Sequence, residues 1–313
     1  MLNSPKLSIV LPVKNGMRYL EDSKQSLLSN CQMNDEILVI DDNSTDETLN
    51  FINDWRKRDS RVRLLRNKGS GLVSALNFGV AESQNEWIAR FDVDDKYAND
   101  RLNLQRAEIK SGVVAVFSDY TVFKNDNLHL GTIPSAVFPS AVSLSLKSSQ
   151  RTAHPSVIFS RNAALSAGGY RSDDFLAEDL SLWLRLSRIG KLKSIPTNLL
   201  FYRISNNSIS SRNRPAMIRK RSEILKEIGV LESDIKSVGE SWEQIFRDYE
   251  DLSHSATRQI LLCQDFYNCV KPNVNRKNAG ILALMARKIT SNPTLILNGL
   301  NYQFDRLRRR ALR

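Results

Sequence analysis

Short apolar runs that alternate with helical patterns constrain the fold of this 313-residue chain more than any other feature of its sequence. Apolar runs of strand length occupy residues 7–13, 36–42, 61–65, 87–91 and 113–117. Most of the segments between them carry apolar residues at the spacing of half-buried helices. Strands that alternate with helices in this way predict an α/β fold with a doubly wound, mostly parallel sheet flanked by helices.

The composition is that of an ordinary soluble globular protein, because 41% of the residues are hydrophobic and 25% are charged. The longest apolar run, around residues 281–286, is far shorter than the roughly 18–20 residues that span a bilayer. The first residues lead directly into a strand-like segment, so we expect no secretory leader. Cys31, Cys263 and Cys269 lack metal-ligand spacing and are interpreted as free thiols. A cytoplasmic location is therefore expected.

Carboxylates follow two of the predicted strands at the point where each strand ends. Asp41 and Asp42 close the second run, and residues 92–95 (Asp-Val-Asp-Asp) follow the fourth. Ligands bind at the carboxyl ends of the strands in doubly wound sheets. Three carboxylates within four residues repel one another unless a cation lies among them, and Mg²⁺ or Mn²⁺ prefers such oxygen ligands. The alternative at both places is an acidic turn that begins the next helix.

Signals for the start of a helix occur at two places. Residues 44–47 (Ser-Thr-Asp-Glu) have the pattern of a capping box. Glu178 and Asp179 open a later predicted helix. Acids in a first helical turn usually complement the helix dipole. The functional alternative for this pair is a general base that removes a proton from an attacking hydroxyl.

Two further polar positions leave their role open. His154 precedes Pro155 and a predicted strand, where a lone histidine is more often structural than catalytic. Arg203 follows a tyrosine and would either clamp a phosphate through its guanidinium or belong to a surface pair. The polar stretch of residues 205–213 is interpreted as a loop that closes over the ligand.

Nine short segments carry the strongest signal when they are taken together and in order. They are residues 7–16 (LSIVLPVKNG), 39–48 (VIDDNSTDET), 75–79 (ALNFG), 88–95 (IARFDVDD), 100–102 (DRL), 154–157 (HPSV), 168–170 (GGY), 178–185 (EDLSLWLR) and 202–203 (YR). Each segment alone has low or moderate specificity. In this order, over roughly residues 6–211, the chain resembles the family 2 glycosyltransferases of the GT-A fold.

The resemblance implies roles at several of the matching positions. The positions that would bind the nucleotide-sugar donor are Pro12, Lys14, Asn15, Asp42, Asn77, Asp92, Asp94 and Arg203. Asp94 and Asp95 would hold a cofactor ion, Mn²⁺ or Mg²⁺. Asp179 would act as the general base, with Glu178 beside it.

Three further residues, His154, Trp183 and Lys14, lie on or near the same implied site. His154 and Trp183 would lie on the acceptor or diphosphate side of the site. Lys14 departs from the family pattern, because many relatives carry an aromatic side chain there that stacks on the base. The resemblance therefore leaves the base contact open, although a lysine stem would cover the ring.

The resemblance also implies a reaction. A hexose would pass from a nucleotide-diphosphate sugar, by default a UDP-sugar, to a hydroxyl of an acceptor sugar with inversion at the anomeric carbon. The acceptor would be a lipid-linked oligosaccharide in O-antigen or capsule biosynthesis. A dTDP-sugar or GDP-sugar donor stays open. The alternatives are a non-catalytic GT-A protein that binds a nucleotide sugar and a sugar nucleotidyltransferase, which would want a glycine-rich basic loop after the first strand.

The last third of the chain has a different character. We expect a catalytic domain over residues 1–213 and a helical C-terminal region over residues 214–313. Nine of the eleven net positive charges lie in residues 271–313, which hold ten Lys or Arg and one acid. Residues 293–313 form an amphipathic pattern with a basic end, which predicts peripheral contact with an anionic membrane. The alternative is a helix packed on the domain; no nucleic-acid-binding module is recognisable.

Overall fold

The computed structural model describes residues 4–124, 128–135, 139–148, 152–205 and 208–230. The predicted membrane segment and most of the predicted C-terminal region therefore lie outside the described residues. Within the described part, no helix combines the length and the apolar character needed to cross a bilayer.

Strands and helices alternate through the first 90 residues, as predicted. The elements are β1 (Leu7–Val13), α1 (Met17–Leu28), β2 (Glu36–Asp41), α2 (Thr48–Arg58), β3 (Val62–Arg66), α3 (Leu72–Glu82) and β4 (Trp87–Arg90). Every residue of β1 and β2 is buried, because helices cover both faces of this part of the sheet.

The second half of the described chain begins with a two-residue strand after the acidic turn. Its first elements are β5 (Lys96–Tyr97), α4 (Arg101–Ala107), β6 (Val113–Lys124), β7 (Leu128–Ile133) and α5 (Pro139–Ser148). They are followed by a 3₁₀ helix (His154–Ser156), β8 (Ile158–Ser160), α6 (Arg161–Ser166) and a second 3₁₀ helix (Ser172–Asp174). The last are α7 (Glu178–Ile189), β9 (Lys191–Arg203), α8 (Ile209–Arg212) and α9 (Arg214–Glu227).

The described strands form one sheet in the order β3-β2-β1-β4-β8-β6-β9-β5, with β7 paired to β6. Strands β1 to β4 pair only in parallel with one another. Strand β8 pairs antiparallel with β4 and β6, and β6 then pairs in parallel with β9. The predicted α/β fold with helices on both faces is confirmed, and its parallel part carries the acidic strand ends.

Alternating side chains of β1 divide the core between the two faces of the sheet. Leu7, Ile9 and Leu11 belong to a buried cluster with residues of α1 and α2. Val10 points to the other face, where it joins a cluster that includes residues of α3, α6 and α7. This two-residue period is the expected geometry of a strand covered on both sides.

The capping-box prediction is wrong. Helix α2 begins at Thr48, and Glu47, its N-cap residue, forms no side-chain capping bond. Ser44 instead accepts a hydrogen bond through Oγ from the backbone N–H of Asn15, at 2.9 Å. A hydroxyl that the pattern assigns to a local cap therefore joins the loops after β1 and β2.

Several elements have no counterpart in the sequence predictions, namely β5, β7, α5, α6, α8 and the 13-residue strand β9. The register of β9 on β6 shifts three times, so it has no regular two-residue alternation to detect. Helix α9 begins one residue after the predicted domain boundary, and its Ile224 and Leu225 join the core cluster of α3 and α7. The division into two domains stays a prediction.

Candidate active site

A cleft of about 780 Å³ lies at the carboxyl ends of β1, β2 and β4. It is bounded on the other side by the start of α7 and by α8 and α9. Eleven of the predicted site residues line it, namely Pro12, Lys14, Asn15, Asp42, Asp92, Asp94, Asp95, His154, Glu178, Asp179 and Arg203. The tertiary structure thus brings together residues from six separate stretches of the sequence.

A buried arginine lies directly beneath the acidic turn. Arg90, at the end of β4, is only 1% exposed and donates hydrogen bonds to Phe91 O and to Asp92 Oδ1. The backbone N–H of Asp92 donates to the hydroxyl of Tyr97 at 2.7 Å. One of the three carboxylates of the turn is therefore neutralised by a residue of the chain itself.

The other two carboxylates have less compensation. Burial, together with the charge of Asp92, raises the pKa of Asp94 to about 6. Burial and the charges of Asp92 and Asp94 raise the pKa of Asp95 well above its usual value. Asp95 Oδ1 accepts the N–H of Arg203 at 2.7 Å, whereas its buried Oδ2 has no hydrogen-bond partner among the described residues. An unpartnered buried carboxylate oxygen beside a second carboxylate fits the donor set of a divalent cation.

Arg203 braces the acidic turn from the end of β9. Its Nε donates to the carbonyl oxygen of Asp94 at 2.6 Å. Its guanidinium lies 5.1 Å from the ring centroid of Tyr19 and 4.6 Å from that of Phe123. These contacts hold a positive charge next to the turn at the edge of the cleft.

Asp42 is held at the end of β2 by neighbouring backbone and amide groups. The backbone N–H of Gly71 donates to Asp42 Oδ1 and Oδ2, at 3.0 Å each, and Asn67 Nδ2 donates to Oδ1 at 2.7 Å. Gly71 has a φ of +85°, a conformation that favours glycine. Lys14 Nζ lies 3.7 Å from Asp42 Oδ2, with 59% of the Lys14 side chain exposed. Their predicted contacts with the nucleotide stay predictions.

Asn15 lines the same side of the cleft and joins two of its loops through its side-chain amide. It has a left-handed φ of +50°, and its Oδ1 accepts the backbone N–H of Thr45 at 2.8 Å. Because the amide oxygen is used to join the loops after β1 and β2, it shapes the pocket that Pro12 and Lys14 line.

The Glu178-Asp179 pair lies in the first turn of α7. Glu178 is 6% exposed, and its Oε2 accepts the N–H of Leu176 at 2.9 Å. Burial and the charge of Asp179 raise the pKa of Glu178 to about 7. Asp179 is more exposed, and its Oδ1 accepts the N–H of Leu180 at 2.7 Å. Of the two carboxylates, Asp179 is therefore the better placed to contact a ligand.

His154 is a half-buried neutral group of the cleft wall. Its Nε2 lies 2.9 Å from the hydroxyl of Tyr170. Burial and the nearby charge of Arg90 hold its pKa well below the usual value. The imidazole therefore carries no charge at neutral pH and adds a hydrogen-bonding group to the cleft.

Residues 8–166 match the family model described as glycosyl transferase family 2, which covers just over half of the chain. The chain belongs to glycosyl transferase family 2. As a member of that family it is a glycosyltransferase, and the family match gives no support to the nucleotidyltransferase alternative.

Several curated relatives of this family 2 glycosyltransferase come from bacteria. A Haemophilus influenzae protein, an uncharacterized glycosyltransferase, is 26% identical over 83% of this chain and 86% of its own length. The Escherichia coli UDP-Gal:alpha-D-GlcNAc-diphosphoundecaprenol beta-1,3-galactosyltransferase is 29% identical over 58% of this chain and 68% of its own length. The chain spans only 31% of a longer uncharacterized glycosyltransferase from Rickettsia bellii.

Solved structures support the GT-A fold of the chain. S. aureus TarS in complex with UDP-GlcNAc superimposes with a TM-score of 0.58 at 14% identity, over 84% of this chain and 81% of that one. The mannosyltransferase PcManGT from Pyrobaculum calidifontis, in complex with GDP-Man and Mn²⁺, gives a TM-score of 0.57 at 15% identity. That match covers 96% of this chain and 84% of PcManGT.

Two predicted site residues of this family 2 glycosyltransferase lie outside the cleft lining. Asn77 Nδ2 donates to Tyr170 O, and Asn77 Oδ1 accepts from Tyr170 N, at 2.8 Å each, so its amide holds a loop in place. Trp183 is fully buried, and its ring packs against Phe117 and Phe159. Both side chains therefore have structural contacts in this protein, and the donor contact of Asn77 and the acceptor contact of Trp183 stay predictions.

The cleft of this glycosyltransferase also contains residues that the sequence reasoning missed. They include Arg90, Tyr19, Met217, Ile218 and Arg221. A charged residue inside the apolar run of β4 was a usable signal for Arg90, because an isolated buried charge needs a partner. Residues 208–210, from the predicted closing loop, line the cleft as well. Closure of that loop stays a prediction.

Proposed function

We propose that this enzyme is an inverting glycosyltransferase that moves a hexose from a UDP-sugar to a hydroxyl of an acceptor sugar. One observation carries the proposal: the acidic turn of residues 92–95 and the Glu178-Asp179 pair line the same cleft. A donor diphosphate needs positive charge, which a cation held at the acidic turn would supply. An acceptor hydroxyl needs a base, and the Glu178-Asp179 pair offers a carboxylate for that role. The arrangement supports transfer between two bound substrates.

At the donor end, the residues of the chain orient the diphosphate. Asp94 and Asp95 would hold Mn²⁺ or Mg²⁺, which when bound supplies positive charge to the leaving diphosphate. The described residues contain no cluster of three or more His, Cys, Asp or Glu in metal-binding geometry. A two-carboxylate site is consistent with this, because such ions commonly take further ligands from substrate phosphates and water. Arg203 adds a fixed positive charge beside the turn.

At the acceptor end, Asp179 accepts the proton of the attacking hydroxyl. The acceptor oxygen forms a bond to the anomeric carbon while the bond from that carbon to the diphosphate oxygen breaks. A single displacement of this kind inverts the anomeric configuration, whereas retention through a double displacement requires a second carboxylate as nucleophile. Glu178 is buried and accepts a hydrogen bond from the backbone of Leu176, so we do not assign it the role of that nucleophile.

The choice of a UDP-sugar rests on similar proteins. The E. coli relative is named for transfer from UDP-Gal, and TarS was solved with UDP-GlcNAc. PcManGT was solved with GDP-Man and Mn²⁺, which supports a nucleotide-sugar donor and a divalent ion for this enzyme. Because that donor carries GDP, the experiments below include a GDP-sugar.

The proposal also includes the identity of the acceptor and the location of the enzyme. The E. coli relative is named for a GlcNAc-diphosphoundecaprenol acceptor, which supports a lipid-linked acceptor in surface-polysaccharide synthesis. Such an acceptor requires the enzyme at the cytoplasmic face of the membrane. Residues 293–313, outside the described part, would provide peripheral contact. Liposome flotation with and without these residues tests this point, and equal binding of both forms contradicts it.

Differential scanning fluorimetry tests the donor site. The panel holds UDP-glucose, UDP-galactose, UDP-GlcNAc, dTDP-rhamnose and GDP-mannose, each with Mn²⁺, Mg²⁺ or EDTA. We expect a rise in Tm with a UDP-sugar plus a divalent ion, and no rise with EDTA or in Asp94→Ala. The exposed Asp100→Ala is the matched control and should keep the shift. A shift restricted to dTDP-rhamnose or GDP-mannose would contradict the UDP assignment.

A turnover assay then tests the chemistry. UDP release from the donor that shifts Tm most is measured with GlcNAc linked through a diphosphate to an undecyl chain, and with water alone. We expect wild-type turnover with that acceptor and a loss of at least about 100-fold in Asp179→Asn, the usual contribution of a general base. The anomeric configuration of the product, read by NMR, should be opposite to that of the donor.

A further inference from the structure

We propose that Arg221 of α9 is a positioning residue that holds the base Asp179 ionised and oriented toward the acceptor. This inference rests on the proposed function, because it assigns Asp179 the role of base. Arg221 lies beyond residues 8–166, the stretch that matches the family model. Its place in the site therefore follows from the packing of α9.

Helix α9 is fixed to the domain by one stripe of side chains. Ile224 and Leu225 are buried in the core cluster that also contains Leu180 of α7, and Ile228 packs against that cluster. Arg221 precedes Ile224 by three residues and Ile228 by seven, so all three lie on the same face of the helix. The core contacts of the last turns therefore direct Arg221 toward α7.

One turn closer to the start of α9, the same face of the helix lines the cleft. Met217 and Arg221, four residues apart, both line the cleft that Glu178 and Asp179 line. The first turn of α7 and the middle of α9 thus form two walls of one space. Of the two acids, Asp179 is the more exposed in that space.

The electrostatic interaction between Arg221 and Asp179 agrees with this placement. Burial lowers the pKa of Arg221 to about 10, and the negative charge of Asp179 acts in the opposite direction. Arg221 therefore stays protonated at neutral pH. A nearby positive charge favours the ionised form of a carboxylate, which is the form that accepts a proton.

The groups around Asp179 give Arg221 a specific task. Among the described residues, Glu178 and Tyr170 also interact electrostatically with Asp179, and neither side chain carries a positive charge. Arg90 acts on Glu178 from the end of β4, but its hydrogen bonds go to the acidic turn. Arg221 is thus the cation that α9 contributes to the acceptor side of the cleft. A planar guanidinium also restricts the direction of the carboxylate it faces.

The test compares Arg221→Met, which keeps the apolar stem, with Arg221→Lys, which keeps the charge. Arg219→Met is the matched control, because Arg219 is exposed on the opposite face of α9. UDP release is measured from pH 5 to pH 9 with the undecyl diphosphate-linked GlcNAc acceptor and the best UDP-sugar. We expect Arg221→Met to lower kcat by about 10- to 100-fold and to move the acid limb of the profile up by about one pH unit.

The remaining variants should separate positioning from structure. Arg221→Lys should keep the acid limb near its wild-type pH, and Arg219→Met should match wild type throughout. The Tm rise with donor and divalent ion should be unchanged in all three, because Arg221 is not assigned to the donor. A wild-type kcat in Arg221→Met, or a lower kcat with an unmoved acid limb, overturns the inference.

Asp179→Asn separates this inference from the proposed function. If Asp179→Asn loses turnover while Arg221→Met does not, the base assignment stands and only the role of Arg221 is overturned. If Asp179→Asn keeps wild-type turnover, the proposed base is wrong and the role of Arg221 fails with it.

Discussion

The backbone N–H of Arg203 donates a hydrogen bond to Asp95 Oδ1 at 2.7 Å, across a separation of 108 residues. The side chain of Arg203 donates to the carbonyl oxygen of Asp94 at 2.6 Å. The end of β9 therefore sets the conformation of the acidic turn after β4. A segment that belongs neither to the parallel strands β1 to β4 nor to the family-matched residues 8–166 thus shapes the proposed donor end of the cleft.

Asp95→Asn should change the unliganded and liganded enzyme in opposite directions. The substitution keeps the oxygen that accepts from Arg203 but removes one of three crowded carboxylate charges at a site that is 3% exposed. We expect the Tm without ligand to rise and the additional rise with donor and Mn²⁺ to disappear. Fluorimetry checks both values, with the exposed Asp100→Asn as the control. A full donor-dependent rise in Asp95→Asn would remove Asp95 from the proposed ion site.

The stability of the enzyme should fall as pH rises through the titration of Glu178. Its pKa in the folded state is about 7 against an ordinary 4.5, so the folded state binds the extra proton between these values. The contribution of Glu178 to the free energy of unfolding is greatest below pH 4.5. It declines by roughly 3 kcal/mol as the pH rises to 7. Glu178→Gln should flatten this part of the profile in urea unfolding from pH 5 to pH 8. The exposed Glu227→Gln is the control, and a slope as steep in Glu178→Gln as in that control contradicts the assignment.

Asn77→Ala should reduce stability without changing donor affinity. Both hydrogen bonds of its amide go to the backbone of Tyr170, and their loss leaves those groups unsatisfied. We expect the free energy of unfolding to drop by about 2–3 kcal/mol. Urea unfolding and donor titration test the two parts separately, with the exposed Asn50→Ala as the control. A tenfold loss of donor affinity in Asn77→Ala would instead support a direct donor contact.

Trp183→Ala should act through the core. The indole is fully buried among the aromatic rings of Phe117, Phe159 and Tyr170. We expect a loss of about 3–5 kcal/mol in the free energy of unfolding. Trp183→Phe should recover part of that loss and keep the KM for the acceptor. An acceptor KM raised tenfold in Trp183→Phe would instead support direct acceptor contact.

Local patterns were sufficient for the first half of the fold. Fully buried parallel strands such as β1 and β2 are continuous apolar runs, and the helices between them show a clear period. The acidic turn was identified because a carboxylate cluster after such a strand lies at the ligand-binding edge of a doubly wound sheet. The sequence of residues 8–166 by itself therefore determined the family and the position of the acidic turn.

Long-range contacts decided which partners the polar side chains find. Ser44 has the local pattern of a helix cap, yet it accepts from Asn15, 29 residues away. Asn77 lies in a family motif, yet its amide binds Tyr170, 93 residues away. A sequence pattern indicates which kinds of group a polar side chain is able to bind. The tertiary fold determines which backbone group lies within hydrogen-bond distance of that side chain.

The sequence by itself determined that this chain is a family 2 glycosyltransferase with a carboxylate turn at a strand end and a Glu178-Asp179 pair at a helix start. Only the tertiary structure brought those two features into one cleft, placed Arg203 against Asp95, and added Arg221 of α9 to the lining of the cleft that contains Asp179. The physical reason is that periodicity and composition determine local structure, which depends on residues close together in the chain. The walls of the cleft are set by the packing of elements that are far apart in the chain.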